Sequence, residues 1–255
     1  MKTFLTVLLL MAFHRGNIIA QTDPQSWDTI APLTEAELYT ISMLTSDDST
    51  IYFENGDSLT QFLKLEIVSH EAFLTAQAAA VNHIRTDTNK VRKENGVTVL
   101  KCGKETMRYE DNPVDNESRS ESFYVGQVPF LHQYIMLYTG WEEYDYSFID
   151  QKTCKATQSF SELPLISNDK RHIISLYTNI YENTADLSLY RINKDKTITE
   201  KAYITFTQWM PAAGDEPCFW SKDGYFYTPV LRPDAYWNNG RGNKVTYQYV
   251  RIQAL

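Results

Sequence analysis

The sequence predicts a mainly β chain, an antiparallel hairpin meander with one amphipathic helix ahead of it. Three observations carry this. From about residue 90 to the C-terminus, apolar and polar residues alternate with the period of a half-buried strand. Seventeen Tyr, twelve Phe and five Trp against only ten Gly favour sheet faces over helices. Two similar turn signals, Ser167-Asn168-Asp169-Lys170 and Ser221-Lys222-Asp223-Gly224, each open into a strand-like run, Ile173 to Thr178 and Tyr225 to Val230. They start 54 residues apart, about the length of one four-stranded repeat unit plus a loop.

At the N-terminus, Lys2 precedes the apolar run Phe4 to Phe13, and a polar stretch ends at Ile18-Ile19-Ala20-Gln21. This is the pattern of a secretory signal peptide over residues 1–20, with cleavage after Ala20, a mature start near Gln21 and a secreted or periplasmic protein. The apolar run is about half of the roughly 20 residues that cross a bilayer, so no transmembrane segment is expected after signal removal. Residues 21–89 read as an N-terminal α/β segment. Thr34-Glu35-Ala36-Glu37 has capping-box spacing and predicts a short helix through Leu44. Leu63, Leu65 and Ile67 alternate with Lys64 and Glu66 as in a half-buried strand. Ser69 then caps the amphipathic helix, whose Phe73, Ala76, Ala80, Val81 and Ile84 recur at helical spacing up to the polar stretch Arg85 to Lys90.

Residues 90–255 form the β-rich region. Asn95-Gly96 and Gly103-Lys104 bracket a strand over Val97 to Cys102, and Glu105 to Glu110 pairs back on it. Asp111 to Ser122 is polar and acidic and reads as a surface loop. Leu131 to Tyr138 and Tyr144 to Ile149 form a hairpin around Gly140-Trp141-Glu142-Glu143, a tip expected to pack its Trp. Strands follow at Ile173 to Thr178, Leu187 to Ile192 and Thr197 to Phe206, separated by Glu182-Asn183 and Asn193-Lys194-Asp195-Lys196. The last are Cys218 to Trp220, Tyr225 to Val230 and Val245 to Ile252.

The two Ser-x-Asp turns resemble the Ser-Pro-Asp-Gly turn of the repeats in TolB-type β-propellers of exported bacterial proteins. Phe148-Ile149-Asp150-Gln151-Lys152-Thr153-Cys154-Lys155 resembles the strand-to-turn segment ending in Asp, Thr and Gly within such blades. The resemblance covers residues 130 to 230. Neither turn has the Pro, and Cys154 stands where that family usually has Gly. It implies a partial or small propeller-like meander in which Asp and Gly make tight turns between short strands. Four blades of about 40 residues would use everything from residue 90 onward. An open meander, with the helix Ser69 to Ile84 covering one edge, satisfies the same pattern.

Chemical motifs are scarce. The chain has no Gly-x-Ser-x-Gly elbow, His-Glu-x-x-His, phosphate-cradling Gly-rich loop or EF-hand pattern. His70, His83, His132 and His172 fit no zinc spacing, and no cofactor or metal is implied. Asp111, Asp115, Glu117 and Glu121 fit no calcium loop and read as a solvated stretch. Asn116-Glu117-Ser118 has the glycosylation acceptor pattern, which has meaning only in a host that glycosylates. Adjacent Glu142 and Glu143 point to opposite faces of a strand, unlike the facing acids of a glycosidase. Cys102, Cys154 and Cys218 read as small buried residues, with one disulfide and a leftover thiol as the alternative. A net charge of −8 without a long basic run argues against nucleic acid or an anionic membrane as partner.

The most site-like stretch is Arg232 to Asn243, a connection longer than hairpins ordinarily use. It offers Tyr236 and Trp237 as stacking surfaces and Asn238 and Arg241 as polar donors for a sugar or peptide. The alternative is a loop whose aromatics fold back on the sheet. Three functions are consistent with these residues. The first is an exported, non-catalytic binding or interaction protein of the cell envelope with a protein or glycan ligand. The second is a hydrolase acting on glycans or peptides, and the third a purely structural envelope protein. The missing catalytic signature favours the first.

Overall fold

The computed structural model describes residues 30–212, 216–238 and 247–255; the expected signal peptide lies outside them. Over these residues the chain is mainly β, and its sheets are antiparallel. Thr34 caps α1 (Glu35–Leu38), accepting the Glu37 amide while the Glu37 carboxylate accepts the Thr34 amide at 2.8 Å. The expected helix through Leu44 is corrected, because Ile41–Ser46 is strand β1. Ile41 and Leu44 are three apart, a helical spacing. A bulge between Ile41 and Met43 lets both be buried from a strand. Strand β2 (Thr50–Glu54) pairs back on β1, and β3 (Leu63–Val68) buries Leu63 and Leu65 as the alternation predicts.

Ser69 caps α2 (His70–Gln77) by accepting the Ala72 amide at 3.1 Å, and Phe73 and Ala76 are the buried face. This is the expected amphipathic helix, but it stops at Gln77 and not at Ile84. Ala80–Val81 is strand β4, paired with Ser221 and Trp220. Helix preferences differ by only tenths of a kcal/mol among most residues, roughly 0–0.7, so pairing an open sheet edge overrides them here.

The strands expected at Val97 to Cys102, Glu105 to Glu110, Leu131 to Tyr138 and Tyr144 to Ile149 are found, and three that were not expected, Lys93–Glu94, Ser120–Val128 and Ala156–Phe160, pair beside them. Strands β5 (Lys93–Glu94), β6 (Val97–Cys102) and β7 (Glu105–Glu110) make a three-stranded sheet. Strands β8 (Ser120–Val128), β9 (Gln133–Gly140), β10 (Tyr144–Asp150) and β11 (Ala156–Phe160) make a four-stranded one. The surface loop expected up to Ser122 is shorter. Asn112 bridges to Ser120, and the Asp111 carboxylate is held by Lys93 at 2.6 Å and the Ser122 amide at 2.9 Å. Then come β12 (Leu165–Ile166), β13 (His172–Asn179), β14 (Thr184–Ile192), β15 (Ile198–Phe206), β16 (Met210–Pro211), β17 (Phe219–Ser221), β18 (Phe226–Leu231), α3 (Pro233–Asn238) and β19 (Gln248–Ala254). They build two six-stranded sheets that the N-terminal segment completes. The central sheet runs β12-β13-β14-β15-β1-β2, and the outer one β3-β19-β18-β17-β4 with β16 beside β18.

The four sheets pack in a row. Leu100 and Cys102 of the three-stranded sheet meet Tyr124, Met136 and Ile149 of the four-stranded sheet. Val128, Ile135, Phe148 and Phe160 of the latter pack on Ile173, Tyr190 and Ile192 of the central sheet. The opposite face of the central sheet sets Ile174, Leu187 and Ile204 against Leu65, Trp220, Phe226 and Val250 of the outer sheet. Helix α2 then covers the outer sheet with Phe73 on Phe219, Tyr227 and Tyr249. No closed barrel or propeller is found among the described residues.

Three turns at one end of the molecule share one geometry. At 167–170, 193–196 and 221–224, the fourth amide donates to the first carbonyl at 2.9, 2.9 and 3.1 Å. The third residue, Asp169, Asp195 or Asp223, accepts the amide two positions on, and the fourth lies at φ 60°, 70° or 89°. A short side-chain acceptor followed by a left-handed residue is what closes such a turn. The two signals seen in the sequence are thus one physical motif, and 193–196 is a third copy.

Cys102 and Cys154 form a disulfide, which corrects the reading of all three cysteines as merely small and buried. It ties the end of β6 to the turn after β10. Cys154 sits at φ 57°, a left-handed position that Gly adopts without the crowding of a Cβ.

Changing Cys102 to Ala together with Cys154 to Gly, which suits the left-handed backbone, removes a crosslink across 52 residues. The expected loss is about 2–4 kcal/mol of unfolding free energy in urea titrations. An unchanged midpoint would show that packing alone joins the two sheets. In the turns, Gly224→Ala is expected to cost about 1 kcal/mol and Lys196→Gly to stabilise by a fraction of that, because a Cβ at positive φ crowds the carbonyl that follows. Thermal melts of both variants check the two signs.

Candidate functional site

The β9–β10 and β13–β14 hairpins turn at the end of the molecule opposite the three Asp-containing turns, and aromatic contacts join their tips. Tyr144 lies edge-on to Tyr177 with ring centroids 6.1 Å apart and to Tyr146 at 6.4 Å. Its hydroxyl donates to Glu162 Oε2 at 2.8 Å. Burial first, and then this bond, hold its pKa above the ordinary tyrosine value. From α3, Trp237 Nε1 donates to Asn183 Oδ1 in the turn after β13. That turn is braced internally: Asn179 Oδ1 accepts the Glu182 amide, and Asn179 Nδ2 donates to Asp186, each at 3.1 Å.

One rim therefore presents Trp141, Tyr144, Tyr181 and Trp237, whose exposures are 42, 40, 75 and 54%. Burying a ring of this size yields about 1.5–3 kcal/mol or more, so leaving four of them open at one end forgoes appreciable stability. Trp141 is exposed and not packed as expected for the hairpin tip. Sequence order hides the rim, since its rings come from two hairpins and a helix.

The stretch Arg232 to Asn243 is not simply a loop. Its first part is helix α3, with Pro233 at a first-turn position that needs no amide donor. Trp237 remains open at the rim, while half-buried Tyr236 supports it edge-on at 5.5 Å. Asn238 ends the helix, its side chain outside the described atoms, and Arg241 lies outside the described residues. Arg232 is a structural anchor: it donates to both Glu37 oxygens at 2.6 Å and to the Ala31 carbonyl at 2.7 Å.

The other chemical groups occupy separate places on the fold. His70 stacks on Tyr249 at 4.7 Å and meets Glu216 at 3.1 Å, whereas His83 meets the Ser167 carbonyl at 3.1 Å. The Ser167 hydroxyl donates to Asp169 at 2.6 Å and accepts the Arg171 and His172 amides, so it braces a turn. Buried Asp87 accepts from Tyr124 at 2.7 Å and Gln127 at 2.6 Å. Burial pushes its carboxyl up, but these two bonds outweigh that and hold it below the usual range. The Cys218 thiol, beside Thr228, is pushed up to about 11 by burial and stays protonated at neutral pH.

No protein-family model matches this chain, and no curated protein and no solved structure matches it.

The Glu37 anchor makes a pH prediction. The Arg232 guanidinium, and then the Thr34 amide and hydroxyl, lower its carboxyl from 4.5 to about 2. A depressed folded-state value stabilises above the unfolded value and is lost as pH falls from 4.5 toward 2. Glu37→Gln is expected to cost about 1 kcal/mol at pH 7, after solvent screening of a partly exposed pair, and nearly nothing near pH 2. Urea titrations at both pH values measure the difference; an equal loss at both would assign the effect to shape and not charge.

Proposed function

We propose that this protein is an exported, non-catalytic binding protein of the cell envelope whose ligand is a glycan laid across the aromatic rim. The observation that carries the reading is the gathering of Tyr144, Tyr181 and Trp237 from three elements at one end, all open to solvent. Aromatic faces offer a large contact area at small entropy cost, and the neighbouring Asn183 and Glu182 supply polar partners for hydroxyl groups. A rim of hairpin tips is open on one side, which suits a chain passing over it better than a small molecule that must be enclosed. Export is supported by the signal-peptide pattern of residues 1–20 and by the disulfide, a crosslink that persists in oxidising compartments. The three like turns support the resemblance to TolB-type repeats at the level of the turn.

Glycan-array binding followed by titration of the best ligand tests the proposal. Tyr181→Ala with Trp237→Ala is expected to weaken binding at least about tenfold, about 1.4 kcal/mol. Because both rings are exposed, stability should stay within about 0.5 kcal/mol. Undiminished glycan binding would remove the rim from the site, and recognition of peptides alone on a parallel array would replace the ligand class.

A further inference from the structure

We propose that a groove at the other end of the central sheet binds a tetrahedral oxyanion, a phosphate or sulfate group, through Arg191, Lys194, Lys170 and Arg171. The groove has a volume of about 660 Å³ and runs between the 167–170 and 193–196 turns. It is built by strand pairing and not by one flexible loop. His172 of β13 sits opposite Arg191 of β14, and the Ile192 amide donates to the Arg171 carbonyl at 2.8 Å, which fixes the two turns side by side.

The charges in this groove oppose those of the chain. Four cations and one carboxylate, Asp195, line it, and with Asp169 beside it on Arg171 there is still an excess of two positive charges in a protein of net charge −8. Both carboxylates are already engaged. Asp169 accepts from Arg171 Nε at 2.6 Å, and Asp195 Oδ1 accepts the amide and hydroxyl of Thr197 at 3.1 and 2.6 Å. Among the described residues, Arg191 and Lys194 have no carboxylate within ion-pair distance, and Lys170 leans over the Phe130 ring at 5.0 Å. Arg171 uses only its Nε on Asp169, and among the described residues its terminal nitrogens have no hydrogen-bond acceptor. Two arginines and two lysines lining one hollow supply the kind of donors that match the several acceptor oxygens of a phosphate or sulfate.

The site is independent of the glycan reading, and its test separates the two. Isothermal titration of the full chain at low ionic strength, with inorganic phosphate, pyrophosphate and sulfate, should show saturable binding. Arg191→Gln with Lys194→Gln should weaken pyrophosphate at least about tenfold, while the anion-free thermal midpoint stays equal or rises. Should that pair fail to fold, Lys170→Gln alone is expected to weaken binding in the same direction. Tyr181→Ala with Trp237→Ala should leave pyrophosphate binding intact. Cosedimentation with phosphatidylglycerol vesicles but not phosphatidylcholine vesicles would assign the oxyanion to a lipid headgroup; pyrophosphate binding without vesicle binding would assign it to a soluble or glycan-borne ester. The proposal is overturned if wild type shows no saturable binding, if the variant binds equally, or if equimolar chloride abolishes it.

Discussion

Burial of the central sheet on both faces is the constraint on which the other layers depend. In β14 every residue from Thr184 to Tyr190 is buried, so its polar side chains must be satisfied internally; Asp186 accepts from Asn179 and Thr184. Such a sheet needs a layer on each side, and each of those sheets presents a second face that also needs cover. The four-stranded sheet is covered by a smaller one crosslinked to it, and the outer sheet by α2 through Phe73. The row can end there because a three-stranded sheet and a two-turn helix leave little further apolar face. The same constraint explains why β1 and β3 travel to pair with β15 and β19: a local hairpin cannot widen a sheet whose neighbours lie near the other end of the chain.

The Asp-containing turns are the local counterpart of that constraint. Strands packed on both sides cannot fray outward, so the reversal must be tight, and a carboxylate that accepts the next free amide makes it so. Among the three turns, Gly224 adopts the left-handed position without a Cβ, while Lys170 and Lys196, like Cys154 elsewhere, adopt it with one. The strain is small per site, about 1–2 kcal/mol. It is tolerated because flanking strands fix the backbone on either side.

These turns also mark how far the sequence could be read. The β6–β7, β9–β10 and β13–β14 hairpins follow alternation and turn chemistry, both of which are local, and lie where the pattern puts them, whereas β8 and β11, which widen the four-stranded sheet, were not expected. Local rules fail at β1 and β4, where a bulge or a distant partner decides: Leu44 has helical spacing from Ile41, and Ala80 is a good helix former, yet both pair in sheets. The candidate rim was legible only at Trp237, because an unbroken aromatic pair in one stretch can be seen in sequence. Tyr144 and Tyr181 join it through hairpin geometry alone, and Asn183 was visible only as turn punctuation. The partner of Cys102 depended likewise on which two sheets meet.

The central sheet also sets the relation between the two proposed sites. Strand β14 has nine residues and starts at the aromatic rim and ends at the basic groove, so at about 3.3 Å per residue the two lie about 30 Å apart. That is more than three Debye lengths at physiological ionic strength, roughly 8 Å each. An anion in the groove therefore exerts no appreciable direct field on a neutral glycan at the rim. Coupling would require the sheet itself to rearrange, and dense packing on both of its faces opposes that. Occupancy of one end should thus leave the affinity of the other unchanged. On the two proposals together, an anionic group is held at one end while the aromatic rim faces away from it.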